Sequence, residues 1–331
     1  MSGISSLCRK TKRHPLKEDK PSGILNIDKP LGQTSHDVVE RVRALTGRRR
    51  VGHAGTLDPL ATGVLVVCVG RRATRLVEYL MDEMKTYRTD IQLGVVTNTF
   101  DAEGEVLSRS PVEVDRDDVE ECLAQFRGWI EQVPPMYSAV KYRGKPLYKL
   151  ARRGVEVERE PRRVEIRRLE LMTWESRERQ AWCTLEIECS PGTYVRVLVH
   201  DIGQALGCGA YVTGLTRLAS GDFHLEDAIA LDDLAQAAQK ERWPELLRPV
   251  DEALAQRFPA LHLGANEAHR LCSGQPVHHG EARGAEGDLA RAYGPEGRFL
   301  ALAAYDAQET VWRPHKVFVS PYPRPRPEGD D

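Results

Sequence analysis

Gly52-His53-Ala54-Gly55-Thr56-Leu57-Asp58-Pro59 runs, after four more residues, into Val64-Leu65-Val66-Val67-Cys68-Val69. The second stretch is a short unbroken apolar run and reads as a buried strand; the first is the glycine-rich turn that feeds it. Glycines on both sides of the turn let the backbone approach a ligand closely, and Pro59 biases Asp58 away from helix and stiffens the exit. A single carboxylate is thereby aimed. An Asp before Pro also commonly does no more than cap a turn, so support for chemistry at Asp58 has to come from the rest of the chain.

Working outward, Ile24 to Asp28 reads as a short strand, Pro30-Leu31-Gly32 as a turn, and Ser35 as the N-cap of a helix with Val38, Val42 and Leu45 on one face, stopped by Gly47. Downstream, Arg71 to Met84 shows helical spacing at Ala73, Leu76, Val77 and Leu80, and Tyr87, Thr89, Ile91 and Leu93 alternate as a strand. A helix is expected over 115–127, and Cys183, Leu185, Ile187 and Cys189 form one face of a strand ending at Pro191-Gly192. Val195, Leu198, Val199, Ile202 and Leu206 then give a helix stripe, with Arg196 just off it in the first turn. Strands and helices without regular βαβ alternation predict an α+β domain around a mixed, mostly antiparallel central sheet with flanking helices. A helix over 226–239 closes it, and Phe258-Pro259 marks a boundary before a set of short strands.

The 331 residues exceed what one core usually serves, so two globular units are expected. The predicted organisation is a basic tail at 1–22, a main domain at 23–257, a small β module at 258–320 and a Pro/Arg-rich disordered tail at 321–331. No eighteen-residue apolar stretch occurs, and the basic N-terminus lacks the apolar segment of a secretory signal, which predicts a soluble cytoplasmic protein with no membrane partner. The seven cysteines show no metal-type pairing, so neither a metal site nor disulfides are expected.

A net charge of −2 argues weakly against nucleic acid, but the average hides segregation. Residues 136–168 hold eleven Lys and Arg against four Glu, and residues 1–22 hold six against two, which leaves −13 on the remainder. The 136–168 run interleaves Tyr137, Tyr142 and Tyr148 with Lys141, Arg143, Lys145, Lys149, Arg152 and Arg153. Basic side chains with aromatics suit a loop that clamps folded RNA; a solvated charged insertion is the alternative.

The stretch from Gly52 to Gly63 resembles the signature of the TruB family of tRNA pseudouridine synthases. Further blocks match in the family's order: Asp28-Lys29-Pro30, Gly32-x-Thr34-Ser35, Lys85-x-Tyr87, Leu93-Gly94-x-x-Thr97-x-Thr99-x-Asp101, Pro134-Pro135-x-x-Ser138-Ala139-x-Lys141, Tyr148-x-x-Ala151-Arg152-x-Gly154, Gly192-Thr193-Tyr194-x-Arg196 and Asp201-x-Gly203. The resemblance spans roughly Gly23 to Val319. Ala54, Pro191 and Val197 depart from residues common in the family, without removing a charged group.

The resemblance implies a pseudouridine synthase fold with a PUA-like C-terminal module, and isomerisation of uridine 55 in the TΨC loop of tRNA without a cofactor. It implies Asp58 as catalytic carboxylate, Arg196 as the partner keeping it ionised through paired hydrogen bonds, and Tyr87 and Leu215 on the two faces of the uracil. His53 would help extrude the base, with Tyr194, Lys29, Lys141 and Arg152 contacting substrate. The 136–168 insertion implies a stand-alone enzyme of the bacterial branch, expected as a monomer with no obligatory protein partner. The competing readings are a tRNA-folding factor whose binding outweighs its chemistry, and a guide-RNA-dependent synthase.

Overall fold

In a computed structural model the described residues are 21–138, 140–151, 153–280, 284–319 and Tyr322. The predicted tail at 1–22 therefore lies outside them but for Pro21 and Ser22, as does the tail at 321–331 but for Tyr322.

The chain runs β1 (Gly23–Lys29), α1 (Ser35–Thr46), β2 (Val51–His53), β3 (Ala61–Val69), α2 (Gly70–Thr74), α3 (Val77–Met81) and β4 (Lys85–Leu93). There follow β5 (Val95–Thr97), β6 (Val106–Arg109), α4 (Arg116–Ala124), β7 (Gly128–Gln132), β8 (Lys141–Tyr142), β9 (Lys145–Pro146) and α5 (Leu147–Ala151). Long strands β10 (Arg162–Arg177) and β11 (Gln180–Cys189) lead to α6 (Val195–Ala205), β12 (Ala210–Ser220), β13 (Phe223–His224) and α7 (Leu231–Gln239). The C-terminal module holds β14 (Ala260–His262), α8 (Ala265–Cys272), β15 (Leu289–Tyr293), β16 (Phe299–Asp306) and β17 (Val311–Val317).

The central sheet has the order β1-β3-β12-β4-β11-β10-β7, with β2 on β3 and β13 on β12. Among the described residues β3 and β12 are its one parallel strand pair, as the mostly antiparallel expectation requires. One apolar cluster, with Leu25, Ile27, Leu65 and Val67, packs under α1 and α7; another joins Ile91, Leu185 and Ile187 to α4 and α6. Each cluster fills a layer between sheet and helices, where burial of each large aliphatic side chain contributes roughly 1.5–3 kcal/mol. Helix α6 lies close on the sheet because Gly203 has no side chain: a Cβ there would sit 2.2 Å from the Ala210 nitrogen.

Several local expectations change. Thr34, not Ser35, caps α1, accepting from Asp37 N–H while the Asp37 carboxylate accepts from Thr34 N–H. Ser35 is buried, and its hydroxyl is used elsewhere, against Leu57. The helix expected over Arg71–Met84 is two short helices broken at Arg75–Leu76, where the Arg75 side chain reaches Val317 O at 2.6 Å in the C-terminal module. The helix expected over 226–239 begins only at Leu231, because Ile229 is extended and its N–H donates to Asn26 O at 2.9 Å. Residues 162–168 of the basic run belong to β10, where Arg167 and Arg168 pair with Glu188 and Glu186. Within 136–161 the chain forms the β8–β9 hairpin and α5.

The C-terminal module pairs β14-β15-β16-β17 and carries α8, a helix absent from the strand-only expectation. It docks on α2 and α3 through an apolar cluster containing Leu76, Leu80, Phe258 and Leu302. Tyr322 packs on the module's own core, its carbonyl 3.1 Å from His269 Nδ1.

Candidate active site

Parallel pairing of β3 with β12 sets Ala61 opposite Leu215 and Gly63 opposite Arg217. On the other side of β12, antiparallel β4 sets Thr89 opposite Leu215 and Tyr87 opposite Arg217. Directly opposed residues share a face, so Tyr87, Thr89, Leu215 and Arg217 form one buried patch, and the Asp58 turn enters β3 over it. The pairing is possible because residue 63 is glycine at φ 93°: a Cβ there would lie 2.3 Å from Arg217 O.

The turn itself is held from beneath by three polar side chains. Ser35 Oγ donates to Leu57 O at 3.0 Å and accepts from Leu57 N–H at 2.8 Å. Lys29 is fully buried, and its ammonium donates to Gln33 O at 2.6 Å, Pro30 O at 2.9 Å and Pro59 O at 3.4 Å. Burial lowers its pKa to about 8, against the opposing pull of the Asp58 carboxylate. Lys29 thus ties the turn to the β1–α1 connection from below. Arg217, 1% exposed, donates from Nε to Val64 O at 2.6 Å and from Nη2 to Gly55 O at 3.2 Å. It bridges the far side of the same turn.

Asp58 lies in the wall of a cleft of about 680 Å³, with its side chain 36% exposed. Arg196, at the start of α6, is 4% exposed and donates from Nε to Asp58 Oδ2 at 2.9 Å. The guanidinium does not pair with both Asp58 oxygens as expected. Nη1 goes to Thr99 O at 2.9 Å and lies 3.2 Å from Asp101 Oδ2, and Nη2 goes to Tyr137 O at 3.1 Å. Asp101, 4% exposed at its side chain, also accepts from Thr99 Oγ1 at 2.6 Å and Glu103 N–H at 3.1 Å. Arg196 is therefore the hub of a network that joins the Asp58 turn, the β5–β6 connection and the segment before β8. A buried guanidinium satisfied in this way is fixed in place, and it fixes Asp58 with it.

Tyr87 and Leu215 wall the same cleft, each 8% exposed, with Tyr194 as N-cap of α6 beside them. Burial raises the phenol pKa of Tyr87 and of Tyr194, so both stay protonated at neutral pH. Gln132 anchors Tyr194 by accepting from its N–H at 3.0 Å. Lys85 also lines the cleft, its ammonium bonded to Met81 O at 2.6 Å and to Glu83 O, with burial lowering its pKa to about 8.

His53 ends β2, two residues before the cleft wall begins at Gly55. Burial lowers its pKa, so it is neutral, and its Nδ1 has no hydrogen-bond partner among the described residues. Lys141 is exposed on the β8–β9 hairpin, next to Tyr142, whose ring Arg143 overlies at 5.4 Å. Arg152 lies outside the described residues.

Two contributors went unrecognised in the sequence. Asp101 appears there only as one residue of a matching block, and Arg217 is not singled out. No group of three or more His, Cys, Asp or Glu suited to a metal occurs among the described residues. No helix among them is long and apolar enough to cross a membrane.

Comparison with known proteins gives one consistent answer. Residues 43–195 match the N-terminal domain of TruB family pseudouridylate synthase, 196–255 the tRNA pseudouridylate synthase B C-terminal domain, and 259–315 the C-terminal domain of pseudouridine synthase II TruB. The chain is 48% identical over 284 residues to tRNA pseudouridine synthase B of Stutzerimonas stutzeri, covering 85% of this chain and 90% of the relative. It is 45% identical over 300 residues to the protein of that name from Cupriavidus metallidurans, covering 89% and 93%. Among solved structures, a chain in an H/ACA RNP bound to a substrate RNA containing 2′-deoxyuridine superposes with TM-score 0.68 at 25% identity, covering 91% of this chain and 87% of that one. A chain in a Cbf5-Nop10-Gar1 complex gives 0.66 at 28%, with the same coverage. The protein belongs to the TruB family of pseudouridylate synthases.

Proposed function

We propose that this protein isomerises uridine 55 in the TΨC loop of tRNA to pseudouridine, acting alone and without a cofactor. The observation that carries this reading is the Asp58 carboxylate, part-exposed in the cleft and held by Arg196 Nε at 2.9 Å, with Tyr87 and Leu215 beside it. The relatives' names, tRNA pseudouridine synthase B, support tRNA as the substrate class. The reaction breaks the C1′–N1 bond, turns the base and forms C1′–C5; the C5 hydrogen leaves to solvent and N1 gains one. Nothing is oxidised or reduced, so the chain needs only to stabilise charge and hold the detached base.

In this reading Asp58 attacks the sugar or base, or stabilises a sugar-centred cation. Arg196 keeps the carboxylate ionised and aimed. Tyr87 supplies a face for the uracil, where stacking contributes roughly 1–3 kcal/mol, and Leu215 closes the other side. His53, held neutral by its burial, helps displace the base from its stack, offsetting a cost of about a few kcal/mol. Lys29 acts indirectly through the turn it ties down, Tyr194 meets the RNA at the cleft, and Lys141 and Arg152 are further RNA contacts. Residues 23–257 form the catalytic unit, 136–168 grip the stem-loop, and 258–320 are a PUA-type RNA-binding module. The enzyme works in the cytoplasm as a monomer.

The purified chain, incubated with unmodified tRNA transcript and nothing else, is expected to produce pseudouridine at one site in the TΨC loop, read by carbodiimide-dependent primer-extension stops. Conversion only after a guide RNA or second protein is added, or tRNA binding and refolding without conversion, would overturn this reading.

A further inference from the structure

The far end of β3 carries a feature the cleft does not use. Val69 pairs with Val51 and with Gly23, and Gly70 N–H donates to Arg50 O at 2.7 Å. These contacts bring Arg48-Arg49-Arg50, between α1 and β2, beside Arg71-Arg72 on α2. From Arg41 to Val77 the sequence holds eight arginines and one acidic residue, Asp58, which belongs to the other end of the strand. The arginines of Arg88, Arg116, Arg168, Arg179 and Arg242 are each answered by a glutamate. Three at this face are not. Arg49, Arg50 and Arg71 are exposed, and their side chains make no ion pair or hydrogen bond among the described residues.

The chain also enters the fold here. Arg48 Nη2 donates to Pro21 O at 3.0 Å, and Ser22 Oγ donates to Val69 O at 3.0 Å while accepting from Ala73 N–H at 3.3 Å. The sequence immediately before Pro21, residues 1–20, holds six Lys and Arg against two acids. On a chain of net charge −2, unanswered like charges cost self-repulsion unless a polyanion neutralises them.

We propose that this arginine face binds RNA phosphates on the substrate beyond the target stem-loop, so that the chain holds its RNA at two places. The nine residues of β3, at about 3.3 Å each, put the face about 26 Å from the Asp58 turn, outside the reach of a loop seated in the cleft. Guanidinium forks suit phosphate oxygens, and such contacts position an RNA without reading its sequence. The inference rests on the reading of the cleft as acting on a tRNA stem-loop.

The test compares full-length tRNA transcript with the minimal target stem-loop, for wild type, for Arg49→Ala/Arg50→Ala/Arg71→Ala, and for the control Arg109→Ala/Arg116→Ala/Arg177→Ala. For the first variant the expected KM on full-length tRNA rises about ten-fold or more near 0.1 M salt, and the slope of log affinity against log salt falls by about 2–3, the counterions of three phosphates. Its kcat, and its KM on the stem-loop, stay at the wild-type values. An equal loss on the stem-loop, an equal loss in the control, or no change on full-length tRNA would overturn the face. Failure of the wild type to turn over the stem-loop would instead overturn the reading of the cleft, so the two failures are told apart.

Discussion

Replacing Arg196 by Met removes at once the donors to Asp58, Asp101, Thr99 O and Tyr137 O. Asp101 is the costly orphan, because its side chain is 4% exposed and only neutral donors remain to it. Breaking a buried pair from one side typically destabilises by about 3–5 kcal/mol. Asp58 is 36% exposed and can recover hydration, so its share is small. Arg196→Met should thus lower the urea-unfolding free energy by about 3–4 kcal/mol. The double variant Arg196→Met/Asp101→Asn removes the unpaired charge and should recover about 2 kcal/mol of that loss, a coupling that only interacting groups show. Activity should not follow. Both variants leave Asp58 unaimed, and kcat should fall by about 10²–10⁴ while tRNA affinity stays close to wild type. Arg196→Lys should be intermediate in stability and poor in turnover, since one ammonium cannot span two carboxylates and two carbonyls. Destabilisation under about 1 kcal/mol by Arg196→Met, or restoration of kcat by the added Asp101→Asn, would refute the hub assigned to this guanidinium.

Two further outcomes follow from geometry and charge. Gly63→Ala places a Cβ 2.3 Å from Arg217 O at φ 93°, so it should separate β3 from β12, cost about 3 kcal/mol or more, and abolish turnover; thermal melting and single-turnover assays check both. Burial raises the Asp201 pKa to about 6. Between its ordinary value and 6 the native state binds more protons than the unfolded chain, so this group makes stability fall as pH rises through that window. Asp201→Asn should therefore be more stable than wild type at pH 8, by about 1–2 kcal/mol after allowing for part exposure, and gain nothing at pH 4; a gain independent of pH contradicts the assignment.

What the sequence displays well is what depends on neighbours in the chain. The alternation from Tyr87 to Leu93 became β4 because each second residue faces a core, and the stripe from Val195 to Ile202 became α6 for the corresponding helical reason. Asp58 was conspicuous because glycine and proline constrain its backbone locally. The network that aims it was harder to see, since Arg196 meets Asp58 across 138 residues and Arg217 meets Val64 across 153. Asp101 and Arg217 look like ordinary surface charges until the fold supplies partners that make their burial tolerable. The break at Arg75–Leu76 falls where Arg75 reaches Val317, and the start at Leu231 follows an Ile229 backbone bond to Asn26; no local pattern contains either contact. Helix α8 is short and sits among turn-forming residues, so its periodicity had little length in which to appear.

The most direct measurement is tritium release from tRNA transcript carrying C5-tritiated uridine, by wild type and by Asp58→Asn, with tRNA binding measured on the same preparations. Asn keeps the size of the side chain and removes its charge, and Asp58 is exposed enough that the fold should persist. The predicted result is one equivalent of tritium released per tRNA by wild type and none detectable with Asp58→Asn, at unchanged tRNA affinity. Release by Asp58→Asn at the wild-type rate would contradict the role given to this carboxylate.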